Sequence, residues 1–376
     1  MKLDLSDIPI VDHHAHPLQR TPPVTPNDWL GYFTESRDPD LVLRHVPNTL
    51  FFQFAVQALA TLLGCEASPE AILAERDRLG QRGWAERLIL DANIKTMLMD
   101  YGFRSKESYG HAEMKSLLPC RIEPILRLET LAQEIILKED TFDQVLEAFV
   151  AEIENAASSG YIALKSIIAY RTGLDIHEWS HEEVDSAYSK VKEQARRTGQ
   201  IRLASPPVND MLVLRALEIA NRQELPVQFH TGFGDADVDL RLANPLHFRP
   251  WLQSGKFSHV PFVILHMGYP YLRESAYLSN IYSNIFVDLS LAIPFAVVES
   301  QQMLLQLLGL APTSKLLYAS DGFSVPELFW LGAKACRIAL GRVLDQLVAD
   351  NILPAEKAYA SAEQILFRNS DTLYHL

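Results

Sequence analysis

Eight short apolar runs, β-branched or aliphatic and often closing on a polar residue, recur along this chain with longer helical stretches between them. They are IPIVD at 8–12, IKTMLM at 94–99, IEPILRL at 122–128, IALKSII at 162–168, PVQFH at 226–230, FVILH at 262–266, IFVDL at 285–289 and LLYASD at 316–321. Alternation is weak within them. Antiparallel strands with one wet face would show it, so these runs suit strands buried on both sides of a parallel sheet. Eight strands alternating with helices predict an α/β fold, the (β/α)8 TIM barrel.

The helical stretches carry their own start signals. Thr141 precedes the amphipathic stretch 141–157, and Ser180 precedes 180–198 with Glu183 three residues on, the spacing of a capping box. A further helix is expected over 209–221, and Pro354 opens a closing helix over 354–368. Two intervals exceed a simple connection. The first two strands are separated by a helical insertion at about 20–90, with an aromatic, proline-rich start at 22–33 and a helix over 50–63. It is expected at the barrel mouth, as a lid or part of an oligomer contact. The interval between the fourth and fifth strands holds two helices where one would suffice. The expectation is one barrel domain over 1–376.

Charge narrows the partners. Lys and Arg number 34 against 47 Asp and Glu, a net charge of −13. Phosphate backbones need clustered cations, so nucleic acid is excluded as the main partner; a small substrate is expected, and a homo-oligomer is allowed. No apolar run approaches the ~20 residues that cross a bilayer. The start MKLDLSDIPIVDHHAH lacks the basic-then-apolar order of a secretion signal, and Cys65, Cys120 and Cys336 have no paired spacing. A cytoplasmic, reducing setting is the expectation.

The chemistry concentrates at strand ends. In Asp12-His13-His14-Ala15-His16, a period of two turns His14 and His16 the same way and His13 the other. Two neutral imidazoles so spaced can chelate one divalent ion. Later strands end at His230, His266 and Asp321. Barrel enzymes collect their catalytic groups at such ends, which joins these residues to the histidine pair as candidate ligands. Lys165 lies inside an apolar strand, where an ammonium is costly to bury. It faces solvent at the strand end, pairs with a carboxylate, or is carbamylated and bridges two metals. Arg127 and Arg171 follow the third and fourth runs and are candidates for holding a substrate carboxylate. The loop 231–239, with two glycines and three acids, is a candidate for recognising an amine or ordering the metal site.

This order of residues resembles the amidohydrolase superfamily, from Asp12 to Asp321. The stretches VDHHAH, ALKSIIAYRTGL, QFHTGFGDAD, LHMGYPY and YASDGFSVPE are similar to the amidohydrolase-related branch, in particular its nodulin-type domains, found alone or fused to glutamine synthetase. The resemblance implies a metal held by His14, His16 and Asp321, with His230 or Lys165 completing the set. Asp321 would be general acid and base, and His266 would bind a second metal or polarise a carbonyl. Zinc is the expected ion, with manganese or iron as alternatives, one or two per chain. The implied reaction is hydrolysis of an amide or amidine C–N bond in a small polar metabolite, a γ-glutamyl amide being one candidate. The rivals are a metal-dependent decarboxylase, a uronate-isomerase-like enzyme and an inactive barrel.

Overall fold

The computed structural model describes residues 3–103 and 106–376. Each apolar run yields a strand: β1 (Ile10–Ala15), β2 (Ile94–Asp100), β3 (Arg121–Arg127), β4 (Ala163–Ser166), β5 (Val227–Phe229), β6 (Phe262–Ile264), β7 (Ile285–Asp288) and β8 (Leu316–Leu317). They lie in one eight-stranded sheet in the order β1 to β8, with parallel registers. Strands in chain order with helices between them make the fold a (β/α)8 TIM barrel. The strand ends moved from where the apolar runs put them. β1 extends through His13 and His14 to Ala15, whereas β8 stops at Leu317 and releases YASD from the ladder. The cause is a tie back to β1, since the Ser320 amide donates to Asp12 Oδ1 (2.9 Å) and Asp321 adopts a left-handed φ of 53°.

Contacts divide the chain into two compact units. The first comprises Met1–Glu123, Gly234–Ala236 and Asp288–Leu376. In it, β1 is tied to the segment after β8 by His13 N to Tyr318 O (3.3 Å), Asp321 N to His14 O (3.0 Å) and His16 N to Gly322 O (2.8 Å). The expected insertion is four helices, Pro26–Leu30, Pro39–Arg44, Leu50–Leu63 and Pro69–Asp91. Its aromatics form a core of their own. Trp29 meets Phe33 edge-on at 4.8 Å and Phe33 meets Phe52 at 5.0 Å, contacts worth about 0.5–1.5 kcal/mol each beyond the area they bury. The expected closing helix is resolved into Ala355–Glu363, a π turn Gln364–Arg368 and Asn369–Leu373. Asn369 Nδ2 then donates to Thr313 O and Leu316 O at 2.7 Å, fixing the C-terminus to the short β8.

The second unit comprises Pro124–Phe233 and Asp237–Val287. Its strands hold a continuous register in which Arg127, Lys165 and Gln228 face one another across β3, β4 and β5. The helices Phe142–Glu154 and His181–Thr198 begin at capping boxes, Thr141 with Gln144 and Ser180 with Glu183. Each cap contributes about 1 kcal/mol by satisfying amides that the first turn leaves open. The helix Pro206–Gln223 is the second one between β4 and β5.

Among the described residues no helix is long and apolar enough to cross a membrane. All three cysteines are free thiols; Cys336 is buried and the other two are half-buried.

Candidate metal centre

His14 and His16 leave β1 on the same side, as the period of two requires, and Asp321 meets them. His14 Nε2 lies 3.1 Å and His16 Nε2 3.3 Å from the same atom, Asp321 Oδ1. One ligand atom from each residue falls within 4.8 Å of the others. Both histidines are buried, and Asp321 is 13% exposed at its side chain.

The tautomer of His16 decides what this group can do. Its Nδ1 lies 3.1 Å from the carbonyl oxygen of Asp100 at the end of β2, so Nδ1 carries the proton and donates it. Nε2 is then a lone pair aimed at a carboxylate oxygen. Two electron-rich atoms at 3.3 Å repel unless a cation or a proton stands between them. Fixing the far nitrogen on a carbonyl is how proteins orient a histidine ligand, so the donor set fits a divalent cation. Asp321 holds its place at a left-handed φ of 53°, a conformation a non-glycine residue keeps only when its surroundings enforce it.

The neighbours fix this group from behind. His13 turns the other way, as expected, with Nε2 3.3 Å from Asp288 Oδ2 and Nδ1 3.1 Å from the Tyr374 hydroxyl. Ser290 Oγ donates to Asp288 Oδ1 at 2.9 Å. Asp12 accepts from the Ser320 amide and hydroxyl, yet burial pushes its carboxyl up to about 7. Phe103 packs on His16 at 5.1 Å and on Phe323 at 5.8 Å, and Tyr32 from the insertion reaches Phe323 at 6.1 Å. This aromatic wall lowers the local dielectric around the three ligand atoms.

The second unit carries the other sequence candidates. His230 follows β5 and His266 follows β6; His230 Nδ1 and His266 Nε2 are 2.9 Å apart, a bond in which one nitrogen donates and the other accepts. Tyr170 covers His230 at a ring distance of 4.2 Å. His266 and Met267 both have left-handed φ, 62° and 58°. Gly232 is required where it stands. At φ 65°, a Cβ there would lie 2.7 Å from Gly268 C and would meet the Tyr269 carbonyl oxygen closer still. Lys165 is buried in β4, and next to it Ser166 Oγ donates to Glu129 Oε1 at 2.6 Å. Arg127 ends β3 half-buried, and Arg171 follows the short turn Ile168–Tyr170.

The acids of the loop 231–239 are engaged by arginines: Asp235 with Arg37, Asp237 with Arg202 and Asp239 with Arg241. That pairing supports a structural reading of the loop. Sequence reasoning missed Asp100, which acts through its backbone and leaves no side-chain signal. It also missed Glu129, which reads as an ordinary helix acid, and Tyr374, whose partner is His13 at the far end of the chain.

A family model described as amidohydrolase matches residues 196–376, a span that holds His230, His266 and Asp321. Protein fluG of Emericella nidulans is 30% identical over 403 residues, covering 98% of this chain and 46% of that protein. The chain thus spans about half the length of the curated relative it matches. A Lactobacillus casei protein, provisionally described as a metal-dependent hydrolase, superimposes with a TM-score of 0.89 at 28% identity, over 99% of this chain and 96% of its own. Uronate isomerase of Thermotoga maritima shares the fold, with a TM-score of 0.70 at 14% identity over 98% and 95% of the two chains. The fold is a barrel, and His14, His16 and Asp321 form a group that could hold a metal ion. The family model, the curated relative and the solved structure together support the amidohydrolase-related superfamily as the one this chain is similar to.

Proposed function

We propose that this protein is a metal-dependent hydrolase that cleaves an amide or amidine C–N bond in a small polar metabolite. One observation carries the reading: His14 Nε2 and His16 Nε2 converge on Asp321 Oδ1 at 3.1 and 3.3 Å, with His16 held in the ligand tautomer by Asp100 O. Bound by these three residues, a divalent cation supplies the charge that acidifies water and polarises a carbonyl oxygen. Zinc suits the two imidazoles and one carboxylate, and manganese or iron accept the same donors.

In this reading Asp321 receives the proton of the attacking water and returns it to the leaving nitrogen, as general base and then acid. The aromatic wall of Phe103, Phe323 and Tyr32 keeps bulk water from competing for the same dipoles. His230 and His266 share a proton across their 2.9 Å bond. That bond engages His266 Nε2 and His230 Nδ1, which favours one ion per chain over two. Carbamylation of Lys165 is then not required.

The test uses the metal-loaded chain against a panel of small amides and amidines. Release of ammonia or amine that is lost in Asp321→Asn supports the proposal. Release of carbon dioxide from carboxylate substrates without any amine product would overturn it in favour of a lyase.

A further inference from the structure

A cleft in the first unit lies outside the metal group. It has a volume of about 240 Å³ and forms where the insertion helix Pro69–Asp91 meets the segment that follows Asp321. The helix does not close it, because Gly80 leaves the helical region at φ 69° and ψ 162° and the helix kinks there. A Cβ placed on Gly80 would meet nothing within 4 Å. Pro22, Val325 and Pro326 supply apolar walls, with the buried Trp84 beside them. Ser324, another wall residue, is held by its amide on Pro17 O (3.2 Å) and by Gln19 N on Ser324 O (2.9 Å). The space equals that of about eight waters, room for one small organic molecule.

The polar groups around this cleft are already committed, with one exception. Arg76 is 4% exposed; its Nη1 lies 3.5 Å from Glu327 Oε1, and its Nη2 donates to Pro23 O. Trp84 acts on the same Glu327 carboxyl. Gln81 Nε2 donates to Gln19 O at 2.9 Å, and its Oε1 accepts from the Tyr109 hydroxyl at 2.8 Å. Asp77 differs. It lines the cleft, is exposed, and makes no hydrogen bond or ion pair among the described residues. The arginines that follow it on the helix turn elsewhere, Arg78 to Glu75 at 2.8 Å and Arg82 to Ser116 O at 2.9 Å. A walled apolar concavity with one uncommitted polar group is the ordinary form of a small-molecule site.

We propose that this cleft binds a small organic cation. Asp77 holds the ammonium at the rim, and the apolar body of the ligand lies against Pro22, Pro326 and Trp84. An aromatic wall favours a cation over a neutral molecule of the same shape. An anion would meet the Asp77 carboxylate, and it would find both terminal nitrogens of Arg76 engaged by Glu327 and Pro23. None of His14, His16 and Asp321 lines the cleft, so this binding does not rest on the hydrolase reading.

Equilibrium dialysis of the metal-loaded chain compares phenethylammonium with its neutral counterpart 2-phenylethanol. The cation is expected to bind about fivefold or more tightly than the alcohol. Asp77→Asn is expected to cut that preference to about twofold or less. Asp77→Glu keeps the charge and is expected to retain the preference. Circular dichroism and metal content, unchanged in both variants, separate lost binding from lost folding. Crystals soaked in 4-bromophenethylammonium are expected to place the bromine beside Pro326 and Trp84 by anomalous scattering. Equal binding of cation and alcohol by wild type overturns the cation site, as does a preference that survives Asp77→Asn. Bromine found only elsewhere overturns it too, and so does 4-bromophenylacetate filling the cleft where the cation does not. Any of these failures leaves the hydrolase reading standing, since amine release from amides is measured without these probes.

Discussion

Gly232→Ala separates two costs that a glycine can conceal. At φ 65° an alanine meets the left-handed penalty of about 1–2 kcal/mol. Its Cβ also has to displace backbone, since Gly268 C and O would lie 2.7 and 2.8 Å away and the Tyr269 carbonyl oxygen nearer still. Backbone cannot rotate out of the way as a side chain can, and overpacking of this kind costs about 1–3 kcal/mol. The total is about 2–5 kcal/mol. Gly64 supplies the control: it has a similar φ of 69° and nothing within 4 Å of its Cβ, so Gly64→Ala carries the conformational cost alone. Thermal denaturation of both variants against wild type gives the comparison. Gly232→Ala should fall by at least twice the shift of Gly64→Ala, and it should also lose turnover, because Gly232 lies two residues from His230. Equal shifts in the two variants would refute the argument that the turn after β5 is locked against the segment after β6.

The other predictions concern the ligand group and its supports. His16→Ala should lose bound metal in elemental analysis with little change in fold, since the lone-pair nitrogen is removed and Asp100 O is left to water. Tyr374→Phe should cost about 1 kcal/mol in denaturant unfolding through the lost bond to His13 Nδ1, and Tyr374→Ala about 3 kcal/mol, because its ring also stacks on His13 at 5.6 Å. Burial pushes Asp210 from 3.8 up to about 6, against hydrogen bonds from Trp179 Nε1 and the His177 amide. The folded state therefore holds a proton that the unfolded state releases, so stability falls as pH rises from about 4 to about 6, by at most about 3 kcal/mol. Asp210→Asn should flatten that slope; a slope unchanged between the two proteins would reject the assignment.

Sequence legibility followed the range of the interactions involved. The eight strands and the caps at Thr141 and Ser180 are local patterns, and each has its counterpart in the structure. His14 and His16 were legible for the same reason, because a period of two is a property of one strand. Asp321 could be named from its position after β8, but its geometry could not. The segment YASD leaves the ladder because Asp12, more than three hundred residues earlier, takes the Ser320 amide. Tyr374 and Asp288 reach His13 from distant elements, and nothing in the pattern around them announces it. Glu129 was hidden for another reason. Its neighbours in sequence make an amphipathic helix, and only tertiary packing buries it beside Ser166.

Anomalous diffraction from crystals of the purified, metal-loaded chain tests the central claim most directly. The account predicts one peak per chain, about 2.0–2.3 Å from His14 Nε2, His16 Nε2 and an Asp321 carboxylate oxygen, with an absorption edge that identifies zinc, manganese or iron. A chain without such a peak, or a peak ligated by other residues while His14, His16 and Asp321 keep their present contacts, would contradict it.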